Sequence, residues 1–405
     1  MSERSVSRRG FLVGATSVGT VGMASLSGCM AIWRGTRPQS ATDRPSLQFT
    51  SQRHRITESM ATTTATDRQT LIQAVSTPDA IVWIPESATI DMTGSVGVPI
   101  APNVTIASNR ALEGGSGGLI KTTGYDNGLF SQHSGWARIT GLRLHGPRFD
   151  RFEPRRGGYD EVDFEALGFS LQGTSAIIDH NEVAGWTFAG FALGAATAQT
   201  SGWIHHNWMH HNQMEHYGYP MELYNGVHLI EWNTFDYNRH SIAGFGYATN
   251  SYEARFNVVG PHASLHSFDM HYLGENLDHL GRTGRGIRAG GFVNVHHNVF
   301  ELTSYPAFSI QGIPAQFGRF CNNWCAQQRD GDRDGDSGSV ALFPRNADIR
   351  VTGNKHGPAA VDLGRNRLQE VEAGLAEAGD SARMRMAAPG PLDLSTLETA
   401  NESTG

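Results

Sequence analysis

Lysine is almost missing. Only Lys121 and Lys355 occur, so 32 − 2 leaves 30 arginines among the basic residues. The formal net charge is −7, which disfavours a general nucleic-acid role. Cysteine is also scarce, with Cys29, Cys321 and Cys325 the complete set. That number excludes a disulfide-stapled scaffold. Cys321 and Cys325 would need a turn between them to pair, because four residues of extended strand hold them too far apart. A cysteine-only zinc site needs more ligands than these two. The stretch from Phe11 to about Leu26 is apolar but too short and Gly-rich to read as a membrane span. What is abundant is glycine, at 48 residues, which suits many tight turns. Hydrophobic residues make up 39% of the chain, enough for a sizeable core.

The N-terminus carries processing signals. Ser7-Arg8-Arg9-Gly10-Phe11-Leu12 matches the twin-arginine export signal, with Val13 where lysine is often found. Leu26-Ser27-Gly28-Cys29 resembles a lipobox, in which Cys29 is lipidated and becomes the new N-terminus. An uncleaved N-terminal anchor is the alternative. Either reading places the bulk of the chain outside the cytoplasm, on the cell surface and tied to the membrane through Cys29. The lysine-poor, acidic composition resembles that of proteins from salt-loving microbes, with GC-rich coding bias as the bland account. The expected organisation is a signal peptide over 1–29, a flexible Ser, Thr and Arg-rich tether over 30–66, a folded body over 67–362, and a short helix with a disordered tail over 363–405. Within the body, Thr66 or Asp67 is placed to cap a helix from Arg68 to Val75 with Leu71, Ile72 and Val75 on one face.

The body repeats. A few strand residues, then Asn, then an often apolar pair recur at Asn181, Asn207, Asn233, Asn257, Asn298 and Asn323, with steps of 26, 26, 24, 41 and 25. About 25 residues accommodate two or three short strands with turns. The long step is one coil with an insertion of about fifteen residues between Leu273 and Gly291. Asn tolerates the left-handed backbone of a sharp corner, and its amide can bond the same amide one coil away. This recurrence, together with the helix-then-strand opening, resembles the asparagine ladder and N-terminal cap of right-handed parallel β-helices of the pectin lyase-like superfamily. The resemblance covers roughly residues 70 to 360. It implies an all-β solenoid with a short N-terminal capping helix, and often action on acidic polysaccharides.

A second row follows the ladder. The next strand in each coil starts at Trp186, His216, His240, His266 and Tyr305, giving five side chains in line, three of them imidazoles. Stacked histidines suit a metal or acid/base site, or simply a structural stack. Asp269 and His271 lie two apart and share one side of a strand, where the carboxylate can orient the ring. Glu253 and Arg255 are paired in the same way, as a binding pair or as a solvated ion pair. Arg288 lies at the end of the insertion. Asp330, Asp332 and Asp334 alternate as at the start of a calcium loop, but Ala341 stands at the twelfth position, so Ca²⁺ is only weakly indicated there.

The family's lyases need a cation for the uronate carboxylate and a base for the adjacent proton. The resemblance therefore implies His240 or His271 as base, Asp269 as its orienter and Arg255 or Arg288 on the carboxylate. Trp186, His216, His266, Tyr305 and Glu253 would complete the binding groove. Arg239 is a further candidate base. The clustered Asp pairs of the hydrolases are not visible. The leading expectation is an exported surface protein that binds or processes polysaccharide, with lyase-like action on an acidic glycan. A non-catalytic envelope or adhesin solenoid and a metal-handling accessory protein are the two alternatives.

Overall fold

Short apolar-polar runs, each closed by Gly, Asn or a residue in the left-handed region, build the architecture. The computed structural model describes residues 55–112, 114–125, 128–149, 165–272, 288–330, 341–343 and 347–378. Cys29, most of the expected tether, Asp332, Asp334 and the insertion residues 273–287 lie outside them. Among the described residues the strands form three parallel sheets. Sheet 1 has eleven strands, from Thr63–Thr64 to Ile349–Thr352. Sheet 2 has ten, from Thr89–Asp91 to Lys355–His356. Sheet 3 has nine, from Val98–Pro99 to Ala341–Leu342. The chain visits sheets 1, 2 and 3 in turn, and every strand pairs with its counterpart one coil away. This is the expected parallel β-helix.

Helix α1, Arg68–Val75, closes the N-terminal end. Asp67 caps it by accepting from the Thr70 N–H at 2.9 Å, and Thr70 returns a bond to the Asp67 backbone. Leu71, Ala74 and Val75 are the buried face, with Ile72 half-buried beside them. Thr63–Thr64, inside the expected tether, already pairs with Val82 and Trp83, so the first coil begins there. The C-terminal helix α2, Pro358–Ala378, starts five residues before the expected boundary at 363. It packs Val361 and Leu368 over Phe256, Val299 and Trp324.

The interior is a continuous apolar stack. Phe130, Phe169 and Phe191 lie face to face on successive coils with centroids 4.7 and 5.2 Å apart. Each such fully buried ring contributes roughly 2–3 kcal/mol.

The asparagine ladder runs from Asn181 through Asn207, Asn233, Asn257, Asn298 and Asn323 to Asn354. Each Nδ2 donates to the next Oδ1 at 2.9–3.1 Å. One expectation is corrected. The left-handed residue at the corner is not the asparagine but the one before it: His180, His206, Trp232, Phe256, His297 and Asn322, all with φ between 55° and 59°. That leaves each asparagine amide free to point inward and also satisfy main-chain carbonyls. The preceding side chain turns outward, where rings stack along the axis. His180 lies over His206 at 5.1 Å and Trp232 over Phe256 at 4.8 Å. Stacking offsets the roughly 1 kcal/mol that the left-handed conformation costs a non-glycine residue. The corner at Asn322 also separates the two body cysteines, which are free thiols on different sheets.

Candidate functional site

The site lies on one face of sheet 3, across four consecutive strands. These strands are Tyr219–Leu223, Ile242–Gly244, Phe268–Met270 and Phe308–Ile310. Their register puts Glu222, Ala243, Asp269 and Ser309 in one row. Phe268 on the opposite face packs inward against Phe235 and Phe300. Alternation therefore forces Asp269 outward. Even so it is fully buried, at 0% exposure.

Three imidazoles converge on the Asp269 carboxylate. Oδ2 lies 2.6 Å from Nε2 of His271, 3.2 Å from Nε2 of His266 and 3.9 Å from Nε2 of His240. The amide of Gln311, on the next coil, donates to both carboxylate oxygens at 3.1 and 3.3 Å. The phenol of Tyr252, reaching from inside the helix, donates to the Asp269 main-chain carbonyl at 3.3 Å. Burial alone would raise the Asp269 carboxyl. His271 and His266 beside it overcome that and hold it well below the usual carboxylate range.

His240 is the deepest ring. Its Nδ1 lies 2.5 Å from the His266 carbonyl, so that nitrogen carries the proton. Nε2 then presents a lone pair, with no hydrogen-bond partner, toward Asp269. Burial, followed by the charges of His266 and Arg239, pushes its pKa well below the ordinary value, so the ring is neutral. The ring of His266 covers one side of it at 4.2 Å and that of Tyr219 stacks at 5.5 Å. Arg239 reaches over Tyr219 and donates to its hydroxyl at 3.1 Å. His266 Nε2 is close to Asp269 but is not aligned in a hydrogen bond. His266 and His271 are the members that reach the surface, with side chains 11% and 16% exposed.

The sequence therefore places His240, His266, Asp269 and His271 together, and the structure brings them within contact. The rest of the expected row does not align. Extending the register, the position of His240 and His266 is held on neighbouring coils by Tyr219 and Pro306, not by His216 and Tyr305. His216 sits in an exposed turn with φ 70°. Tyr305 packs half-buried against the core. Trp186 is a core residue at the corner, its backbone N–H held by Asn212 at 3.0 Å.

Glu253 and Arg255 lie on sheet 1 instead. Arg255 is completely buried and bonds Glu231 at 2.8 Å and Glu253 at 3.0 Å. Arg255 forms part of an in-register row running Asp179, His205, Glu231, Arg255, His296 along that sheet. Arg288 is exposed and makes an isolated bridge to Ile313. Asp330 accepts from Asn354 at 2.8 Å and from His356 at 3.0 Å, engagements that tie it to the ladder end. Glu222, Tyr219 and Gln311 are members that the sequence did not single out, whereas Arg239 was among its candidates. A separate cleft of about 370 Å³ lies between α2 and the ladder corner, bounded by Arg110, His206, Trp208, Trp232, Arg365 and Glu372.

No protein-family model matches the chain, and no curated protein matches it. Among solved structures, the A-module of the Azotobacter vinelandii mannuronan C-5 epimerase AlgE6 is similar at 12% identity. The match covers 69% of this chain and 91% of that one, with a TM-score of 0.26.

Proposed function

We propose that this chain acts on an acidic glycan by removing the proton next to a uronate carboxylate, with the sheet 3 cluster as the reacting centre. The observation that carries this reading is the convergence of His240, His266 and His271 on the buried Asp269. Such grouping gives proton-transfer chemistry a base and a fixed charge to stabilise the protonated base.

In this reading His266 is the base. It is partly exposed, its Nε2 makes no hydrogen bond, and Asp269 at 3.2 Å stabilises the imidazolium that forms. The proton leaves the sugar carbon for His266 Nε2. In a lyase the electron pair then forms the ring double bond as the glycosidic oxygen departs. His271, held by Asp269 at 2.6 Å, orients the carboxylate. Arg239 replaces Arg255 as the nearby cation, because Arg255 is enclosed between two glutamates on another sheet. Twin-arginine export and lipidation at Cys29 would present this face to polymers outside the cell.

The test is ultraviolet absorbance of the unsaturated product during incubation with a panel of uronate polymers. The wild-type protein is expected to form product from at least one. His266→Asn is expected to lower the rate about 10²–10⁴-fold, the usual range for a removed general base. Absence of product from every polymer argues against the lyase form of the reading.

A further inference from the structure

We infer that His240, Asp269 and His271 hold a divalent transition-metal ion of the zinc class, with a fourth position open to the carboxylate of an acidic sugar. The inference rests on the acidic-glycan reading for its ligand, but the metal site itself stands on geometry.

Among the described residues, these three offer ligand atoms that all lie within 4.8 Å of one another. Two imidazole nitrogens and one carboxylate oxygen are a set that zinc-like ions take, and three protein ligands with a vacant position mark reactive rather than structural sites. Bonds of about 2.0–2.2 Å in a tetrahedral arrangement separate neighbouring ligand atoms by roughly 3.4 Å. The Asp269 Oδ2 distances to His271 and His240, 2.6 and 3.9 Å, fall on either side of that value. Small movements of two side chains open the one and close the other.

The second observation concerns His240. Its residue is 1% exposed and its Nε2 has no hydrogen-bond partner. With Nδ1–H committed to the His266 carbonyl, the Nε2 lone pair faces a carboxylate oxygen. Two acceptors confronting each other in a buried site are unfavourable unless a cation lies between them. A dication resolves the mismatch. The hydrogen bonds that would hold the ligands in place are also present. The His240 Nδ1–H is held by a main-chain carbonyl and the Asp269 carboxylate by Gln311, the arrangement that orients metal ligands. His266 stays outside the ligand set.

Charge supplies the link to the substrate. The buried Asp269 carboxylate by itself repels a uronate. With a dication bound, the same centre carries a net positive charge and attracts one.

The experiment uses the full chain, stripped with chelator, dialysed and titrated with Zn²⁺ or Co²⁺ alone. Expected are one tightly held equivalent per chain, a raised thermal midpoint and, with Co²⁺, the visible absorption of a tetrahedral site. His271→Ala, at a half-buried position just past the strand, and His240→Gln should each lose that equivalent. His266→Asn should keep it. No stoichiometric binding by the folded wild type, or binding retained in both His271→Ala and His240→Gln, overturns the inference. Product from a uronate polymer without bound metal would overturn it while leaving the acidic-glycan reading intact. Stoichiometric metal with no change to any uronate polymer would leave the metal site standing and remove that reading.

Discussion

His240 donates from Nδ1 to the main-chain carbonyl of His266 at 2.5 Å. One hydrogen bond thus joins two coils, fixes the tautomer of a buried ring and aims its other nitrogen at Asp269. Asp269→Asn keeps the shape of that centre but removes its charge. We expect the rate on a uronate polymer to fall at least about 10²-fold, the scale of a lost electrostatic partner. Circular dichroism should remain that of the wild type. An unchanged rate would remove Asp269 from the chemistry.

Arg255 serves as the contrast. It is as buried as Asp269, but its partners Glu231 and Glu253 belong to sheet 1. Arg255→Met removes the cation that the buried Glu231 and Glu253 carboxylates share. A loss of about 3–5 kcal/mol in stability is expected from urea unfolding, as for other broken buried ion pairs. At temperatures where the variant stays folded, its rate should match the wild type. A rate loss with no stability loss would return Arg255 to the site.

The ladder predicts a structural cost. The Asn233 amide donates to Ile204 and Glu231 carbonyls and to Asn257, and its Oδ1 accepts from Asn207. Asn233→Ala leaves several of these buried groups unpaired at once. We expect a destabilisation of about 3 kcal/mol, read from denaturant unfolding. Asn322→Gly, at the left-handed position with φ 56°, is expected to be neutral or slightly stabilising.

Much of this was legible in advance. The 25-residue step and the Asn corner define the solenoid, and α1 is expected over Arg68–Val75 with Thr66 or Asp67 as its cap, which the structure resolves to Asp67. The cluster was legible as His240, His266, Asp269 and His271 because strand parity and the coil period bring them together. The strand starts at Trp186, His216 and Tyr305 were misaligned for a physical reason. At His216, the turn between Met214 and Tyr217 holds Glu215 and His216 out of the strand, so Tyr219 takes the place beside His240. Such a turn leaves no periodic signal. The conformation of His206 or Trp232 was hidden because neither residue type advertises the left-handed region. A second ladder, Asn212 to Asn238 at 2.9 Å, follows the same rule and was legible only once the first had been understood.

Acid should weaken the fold through His228. It faces the interior of the solenoid, where both ring nitrogens lack hydrogen-bond partners, and burial pushes its pKa down to about 3. The unfolded chain takes up this proton near the ordinary value of 6.5, whereas the folded chain does so only near 3. Between those values the unfolded state binds more protons, so stability falls as pH is lowered. The contribution of this one residue is about 1.4 kcal/mol per pH unit. His228→Phe should make the acid limb of stability against pH shallower by that amount. An unchanged slope would mean that the ring titrates normally.

Proton removal next to a uronate carboxylate is the step on which the proposed function rests. Proton NMR of uronate polymers incubated with the protein in D₂O reads that step directly, whether or not a bond is later broken. The wild-type protein is predicted to erase the signal of the proton adjacent to the carboxylate in at least one polymer, and His266→Asn to leave it intact. Full retention of that signal in every polymer, or equal loss with His266→Asn, would contradict the account.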